Sequence, residues 1–229
     1  MNRSLFRGAR LLDPESGLDA CGDLLIEDDR IAALGPHLSF ETGNAETISA
    51  EGLCLAPGLV DMRVQLREPG AEHMESIETG GQAAAAGGVT TMVALPNTDP
   101  PVDDVSVVEF LARRAREAKL AKVHTYAAAT KGLAGRDLTE MGLLAANGAL
   151  GFTDGVRAIA DALVMRRVLA YARTFDLLVV QHPEEPSLAR AGEVSESEIA
   201  TRLGLPAIPP AAEVIMIERD LRLVEITGG

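Results

Sequence analysis

The sequence contains no tryptophan, and its other aromatic residues are only two tyrosines and five phenylalanines among 229 residues. Acidic side chains outnumber basic ones by 34 to 21, which gives a formal charge of −13 at pH 7. Proteins that bind nucleic acid usually present a basic surface and stack bases on aromatic rings. The composition therefore argues against nucleic acid as a partner.

Cysteine is also scarce, since Cys21 and Cys54 are the only two in the chain. Two distant cysteines in a chain of this length favour reduced thiols over a disulfide framework. Arg3, Arg7 and Arg10 interrupt the amino-terminal segment, which argues against a signal peptide, and no apolar run is long enough to cross a bilayer. We therefore expect a cytoplasmic protein without a membrane partner.

The pattern of the chain changes near residue 54. Before that point it is typical of a β-sheet, with strands predicted at 23–27 and 30–34 around a turn at Asp28-Asp29. After it, strand and helix patterns alternate. Strands are predicted at 55–64, 89–95, 123–129, 149–153 and 177–181, and helices at 105–119, 138–146, 159–175 and 213–227. Such alternation indicates a parallel α/β fold, and by itself it does not distinguish an open sheet from a barrel.

A series of short motifs accompanies this alternation. They occupy residues 56–70, 75–80, 83–91, 95–101, 130–132, 151–155, 181–184 and 203–213. Their order and spacing resemble the dihydroorotases of the amidohydrolase superfamily over nearly the whole chain. The resemblance implies an α/β fold, a (β/α)8 TIM barrel of the amidohydrolase type. Residues 1–54 would then form the N-terminal part of a small β-sandwich, and residues 55–229 the N-terminal portion of the barrel.

Five predicted barrel strands fall short of the eight in a closed barrel, which by itself takes about 250 residues. An open parallel sheet has an unpaired edge that invites association. We therefore expect that this chain is part of a longer protein, or that another element covers the open side, and we expect an oligomer.

The segment 55–67 departs from the family at the position where its metal chemistry begins. The resemblance places a His-x-His metal-binding pair at the positions of Arg63 and Gln65. A guanidinium offers no lone pair, and a carboxamide is a poor zinc ligand. Asp154 and His182 match two further ligand positions, but a zinc site uses three or four protein donors. We expect no cofactor and no catalytic residue, and we interpret Asp154 and His182 as vestigial ligand candidates.

Arg67 and Asn97 follow the first two predicted barrel strands, where TIM barrels carry functional side chains. The resemblance implies that they bind the carboxylate of dihydroorotate, a task that suits a guanidinium fork. A surface ion pair for Arg67 and a turn role for Asn97 remain equally open.

Arg63 begins on the strand face that would point toward the metal. Unpaired carboxylates in a partly enclosed site are costly, whereas a charge with a partner is tolerated. We therefore expect its guanidinium to occupy the vacated metal position and to pair with Asp154 or Asp61.

These observations favour a dihydroorotase homologue of pyrimidine biosynthesis that has lost catalysis. The resemblance implies aspartate transcarbamoylase as its structural partner. The first alternative is an active cyclic amidohydrolase that opens dihydroorotate or a similar ring with zinc held in another way. The second is a folding fragment without activity. The zinc content of the full-length protein distinguishes the hypothesis of a non-catalytic homologue from that of an active cyclic amidohydrolase.

Overall fold

A computed structural model of the protein describes residues 2–38 and 45–229, and the chain divides into two compact units, Met1–Gly58 and Leu59–Gly229. The first unit is a five-stranded sheet. Its strands are β1 (Arg3–Asp13), β2 (Leu18–Glu27), β3 (Arg30–Gly35), β4 (Glu46–Ser49) and β5 (Cys54–Leu55). They lie in the order β3-β2-β1-β4, and β5 also pairs with β1.

The first unit is built on two successive antiparallel pairings, β1 with β2 and β2 with β3. The turn predicted at Asp28-Asp29 joins β2 to β3, which confirms the predicted hairpin. Asp28 has a φ of 55°, a left-handed conformation that aspartate tolerates in turns. In contrast, β4 and β5 run parallel to β1.

The second unit alternates strands and helices. Its strands are β6 (Leu59–Val64), β7 (Val89–Ala94), β8 (Lys122–Ala127), β9 (Ala149–Phe152), β10 (Val194–Ser195) and β11 (Ala207–Ile208). Its helices are α1 (Ile77–Ala86), α2 (Val105–Ala118), α3 (Met141–Ala146), α4 (Ala162–Thr174), α5 (Pro186–Ala189), α6 (Glu198–Leu203) and α7 (Ala211–Thr227). The main sheet is parallel in the order β6-β7-β8-β9, whereas β10 and β11 pair separately.

The fifth predicted barrel strand is present only as a short continuation of this sheet. Phe152 forms an isolated parallel bridge with Val179. The amide of Phe152 donates to the carbonyl of Leu178 at 2.8 Å, and the amide of Val180 donates to the carbonyl of Phe152 at 2.8 Å. Residues 177–181 thus lie beside β9 in the predicted order, with less regular pairing than predicted.

Side-chain caps explain where three of the helices begin. Ser76 and Thr79 form a capping box at the start of α1. Asp104 accepts a hydrogen bond from the amide of Ser106 at the start of α2, and Asp161 caps α4 in the same way. These helices pack buried apolar residues against the sheet, including Ile77, Val108, Leu111 and Val168.

The predicted buried strand at 55–64 is wrong in two respects. The observed strand β6 begins only at Leu59, and Leu59, Val60 and Met62 are 60 to 65% exposed. Among the described residues, β7 is the only strand that pairs with β6. A strand with only one neighbour leaves apolar side chains exposed to solvent. Burying Leu59, Val60 and Met62 would require a surface that the second unit does not supply.

None of the helices in the described part of the chain combines the length and the apolar character that crossing a membrane requires.

Candidate functional site

The six candidate residues lie at the carboxyl ends of parallel strands in the second unit. Arg63 belongs to β6, and Gln65 and Arg67 follow directly after it. The others follow later strands: Asn97 comes after β7, Asp154 after β9, and His182 after residues 177–181. Parallel strands bring their carboxyl ends to one edge of a sheet, which is where ligands bind in α/β proteins.

Arg63 and His182 are in contact across this edge. The Nη2 atom of Arg63 lies 3.4 Å from Nδ1 of His182. A guanidinium can only donate hydrogen bonds, so the imidazole nitrogen accepts in this contact. The structure thus brings together two positions at which the resemblance places metal ligands.

The predicted pairing of Arg63 with a carboxylate is wrong. Across residues 2–38 and 45–229, no carboxylate oxygen forms an ion pair with Arg63 within 4.0 Å. The Oδ1 atom of Asp61 instead accepts a hydrogen bond from the backbone amide of Arg63 at 3.0 Å. The other expected partner, Asp154, is occupied elsewhere.

Asp154 is almost fully buried, with 1% of its surface exposed. Its Oδ1 accepts a hydrogen bond from the amide of Thr130 at 2.9 Å, and its Oδ2 accepts one from the Thr130 hydroxyl. The same hydroxyl oxygen accepts a hydrogen bond from the amide of Gly135 at 2.8 Å. Burial raises the pKa of Asp154, and the hydrogen bonds from Thr130 oppose that rise. This carboxylate anchors the loop that follows β8.

Gln65 and Asn97 join the ends of β6 and β7. The Nδ2 atom of Asn97 donates to Oε1 of Gln65 at 3.0 Å. Asn97 also borders a cavity of about 330 Å³ together with Asp154 and Arg157. Asn97 therefore connects the replaced ligand position at Gln65 to a space large enough for a small ligand.

Arg67 is half-buried and has a φ of 57°. It takes part in none of the ion pairs found in the described part of the chain. A residue in the left-handed region, directly after a strand, turns the chain sharply. The ion pair considered for Arg67 is thus absent from the described residues, and its role in binding a carboxylate stays a prediction.

Sequence reasoning missed the role of Glu68. This side chain is buried, and its Oε1 accepts a hydrogen bond from Nε of Arg114 at 2.6 Å. Its Oε2 accepts one from the amide of Ile77 at 2.9 Å. Ile77 is the first residue of α1, whose free amides favour a negative charge. The position of Glu68 in the sequence, between the end of a strand and the start of a helix, is the signal that could have predicted its contact with the helix.

The donor chemistry of the site does not fit zinc, the metal that the family implies. Arg63 lacks a lone pair, and the carboxamide oxygen of Gln65 is taken by Asn97. His182 directs Nδ1 toward a guanidinium, and Asp154 is engaged by Thr130. Within the ranges that the structure describes, no three His, Cys, Asp or Glu side chains are grouped so that they could hold a metal ion.

Comparisons with known proteins agree with this fold and identify its family. A family model described as "Dihydro-orotase-like" matches residues 52–229. A "Dihydroorotase" of Syntrophobacter fumaroxidans is 43% identical over 227 residues, which cover 98% of this chain and 52% of that protein. A "Dihydroorotase-like protein" of Pseudomonas putida is 43% identical over 221 residues, with coverage of 96% and 52%. The chain thus spans about half the length of these relatives.

Solved structures show the same architecture. The L-hydantoinase (dihydropyrimidinase) of Arthrobacter aurescens has a TM-score of 0.77 at 21% identity, covering 100% of this chain and 51% of that one. A D-hydantoinase from Thermus sp. has a TM-score of 0.72 at 22% identity, with coverage of 99% and 50%. The predicted fold, an incomplete (β/α)8 barrel of the amidohydrolase type, is confirmed. The match over residues 52–229 and the identity to curated dihydroorotases show that this chain belongs to the dihydroorotase-like family.

Proposed function

We propose that this protein is a non-catalytic dihydroorotase homologue of pyrimidine biosynthesis that acts as a structural partner of aspartate transcarbamoylase. The observation that carries the proposal is the contact between Arg63 and His182. In a metal-dependent relative, both positions would direct lone pairs at one cation. Here a permanent positive charge lies against the remaining imidazole, and a zinc ion next to that guanidinium would be repelled.

The other candidate ligands support the same proposal. Asp154 uses both carboxylate oxygens to bind Thr130, so ligating a metal would break hydrogen bonds within a buried site. The oxygen of Gln65 accepts from Asn97 and is likewise engaged. Each retained or replaced ligand position therefore has a role within the protein that competes with a metal.

The decisive experiment measures zinc and turnover in the full-length protein. The protein is expressed with added zinc, desalted and analysed by elemental mass spectrometry. Ring opening of dihydroorotate is assayed in parallel, with and without a chelator. We expect far less than one zinc per chain and no turnover above the uncatalysed rate. Stoichiometric zinc together with chelator-sensitive turnover would establish the active cyclic amidohydrolase instead.

The partner is tested separately. Tagged full-length protein is co-expressed with aspartate transcarbamoylase, and the complex is analysed by light scattering after affinity purification. We expect a complex of fixed stoichiometry that persists when Arg63 and Gln65 are both replaced by alanine, because a structural role does not need the site. A partner that elutes alone at micromolar concentrations contradicts this part of the proposal.

We also propose that the protein resides in the cytoplasm. Cys21 and Cys54 are both free and exposed. Exposed thiols persist in reducing compartments, whereas oxidising ones convert them to disulfides.

A further inference from the structure

The side chains that replace the metal ligands present hydrogen-bond donors. Arg63 donates to Nδ1 of His182, which requires the tautomer that carries its proton on Nε2. The Oε1 atom of Gln65 accepts from Asn97, so the remaining polar group of Gln65 is its NH2. The side chains of Arg63, Gln65 and His182 therefore all carry N–H donors, whereas a metal site requires lone pairs.

The positive charge at this edge is not balanced by contacts. In the described residues, neither Arg63 nor Arg157 pairs with a carboxylate within 4.0 Å. The two carboxylates expected to pair with the guanidinium of Arg63 accept hydrogen bonds from other groups instead, Asp61 from the backbone amide of Arg63 and Asp154 from Thr130. With Arg67, three guanidiniums at this edge form no ion pair among the described residues, in a chain with a net charge of −13.

We infer that Arg63, Gln65 and His182 form a binding site for a small carboxylate anion at the position that the family gives to its metal. A guanidinium binds a carboxylate through two parallel hydrogen bonds, and the amide and imidazole N–H groups add further donors. Asn97, the hydrogen-bond partner of Gln65, also borders a cavity of about 330 Å³ whose wall includes Arg157 and Asp154. The inference rests on the proposed loss of the metal site.

Binding is tested with malonate, a small dicarboxylate, on chelator-treated full-length protein. Isothermal titration calorimetry measures its affinity, and inorganic phosphate is titrated in parallel. We expect saturable binding of one malonate per chain, with phosphate at least tenfold weaker. Phosphate binding as tight as that of malonate would overturn the assignment to carboxylates.

Variants locate the site. Arg63→Gln should weaken malonate binding at least tenfold, and Arg63→Lys should weaken it less, because the charge remains while the fork is lost. Arg167→Gln is the matched control, since Arg167 is an exposed arginine of α4 and the substitution removes the same charge. Equal affinities in Arg63→Gln and Arg167→Gln would overturn the inference. Circular dichroism of each variant verifies folding.

Metal analysis of the same preparation separates the two proposals. Zinc-free protein that fails to bind malonate refutes the carboxylate site and leaves the proposed function intact. Protein purified with stoichiometric zinc refutes the proposed function, whatever the titration shows after chelation.

Discussion

The guanidinium of Arg63 lies 3.4 Å from Nδ1 of His182, although the two residues are 119 positions apart in the chain. The resemblance to dihydroorotases places metal ligands at both positions, and in this structure the two side chains contact each other directly. The guanidinium of Arg63, on β6, donates a hydrogen bond to the imidazole of His182, which follows residues 177–181.

The first prediction restores the missing imidazoles. Replacing Arg63 and Gln65 together by histidine removes the guanidinium from His182 and supplies three imidazoles at one edge, which meets the minimum for a zinc site. We expect the double variant to retain more zinc than the wild type after desalting, measured by elemental mass spectrometry. The control replaces both residues by asparagine, which removes the charge without adding ligands. Equal zinc in both double variants would mean that the site has changed beyond these two positions.

The second prediction concerns Glu68. Replacing Glu68 by alanine leaves the amide of Ile77 without its acceptor and removes the buried partner of Arg114. We expect the free energy of unfolding to fall by about 2 kcal/mol, the scale of a buried hydrogen bond to a charged group. Urea denaturation measures the change. Glu225→Ala removes a carboxylate from an exposed pair with Arg222 and should have little effect, so similar losses in both variants would contradict a special role for Glu68.

The third prediction concerns the pH dependence of stability. Burial raises the pKa of Asp154 above its usual value of 3.8, so the folded protein holds this proton more tightly than the unfolded chain. The stabilisation is therefore complete below pH 3.8 and is lost as the pH rises through the raised pKa. Asp154→Asn lacks this titration. We expect its stability relative to wild type to improve between pH 4 and pH 7 in urea denaturation.

Asp137→Asn is the control for this pH series, because Asp137 is an exposed aspartate in the loop after β8 that Asp154 anchors. The stability of Asp137→Asn relative to wild type is measured over the same range for comparison. A flat difference for Asp154→Asn would show that the hydrogen bonds from Thr130 fully offset the burial of the carboxylate.

The fourth prediction concerns the exposed face of β6. Val60 and Met62 are 60% and 65% exposed on a strand that pairs with β7 alone among the described residues. We expect the 229-residue chain by itself to self-associate through this strand, as measured by size-exclusion chromatography with light scattering. Replacing both residues by lysine should shift it toward the monomer, whereas Leu143→Lys, at an exposed position of α3, should not. A wild-type chain that is monodisperse and monomeric would contradict this expectation.

Local patterns in the sequence predicted most of the elements. The helix predicted at 105–119 is α2 (Val105–Ala118), and the helix predicted at 213–227 is α7 (Ala211–Thr227). Helical periodicity and caps act within a few residues, so they can be recognised without the fold. The prediction of a buried strand at 55–64 was less accurate, because the burial of a strand depends on neighbours from distant parts of the chain.

By itself, the sequence determined the alternating α/β fold and the resemblance to dihydroorotases. It also showed that Arg63 and Gln65, where the resemblance places two metal ligands, are poor donors to a metal, because the donor capacity of a side chain depends only on its type. Only the tertiary structure decided which groups these side chains contact. It turned Arg63 toward His182, tied Asp154 to Thr130 and buried Glu68. These contacts join residues far apart in sequence, and their geometry follows from how strands and loops pack at the carboxyl edge of the sheet.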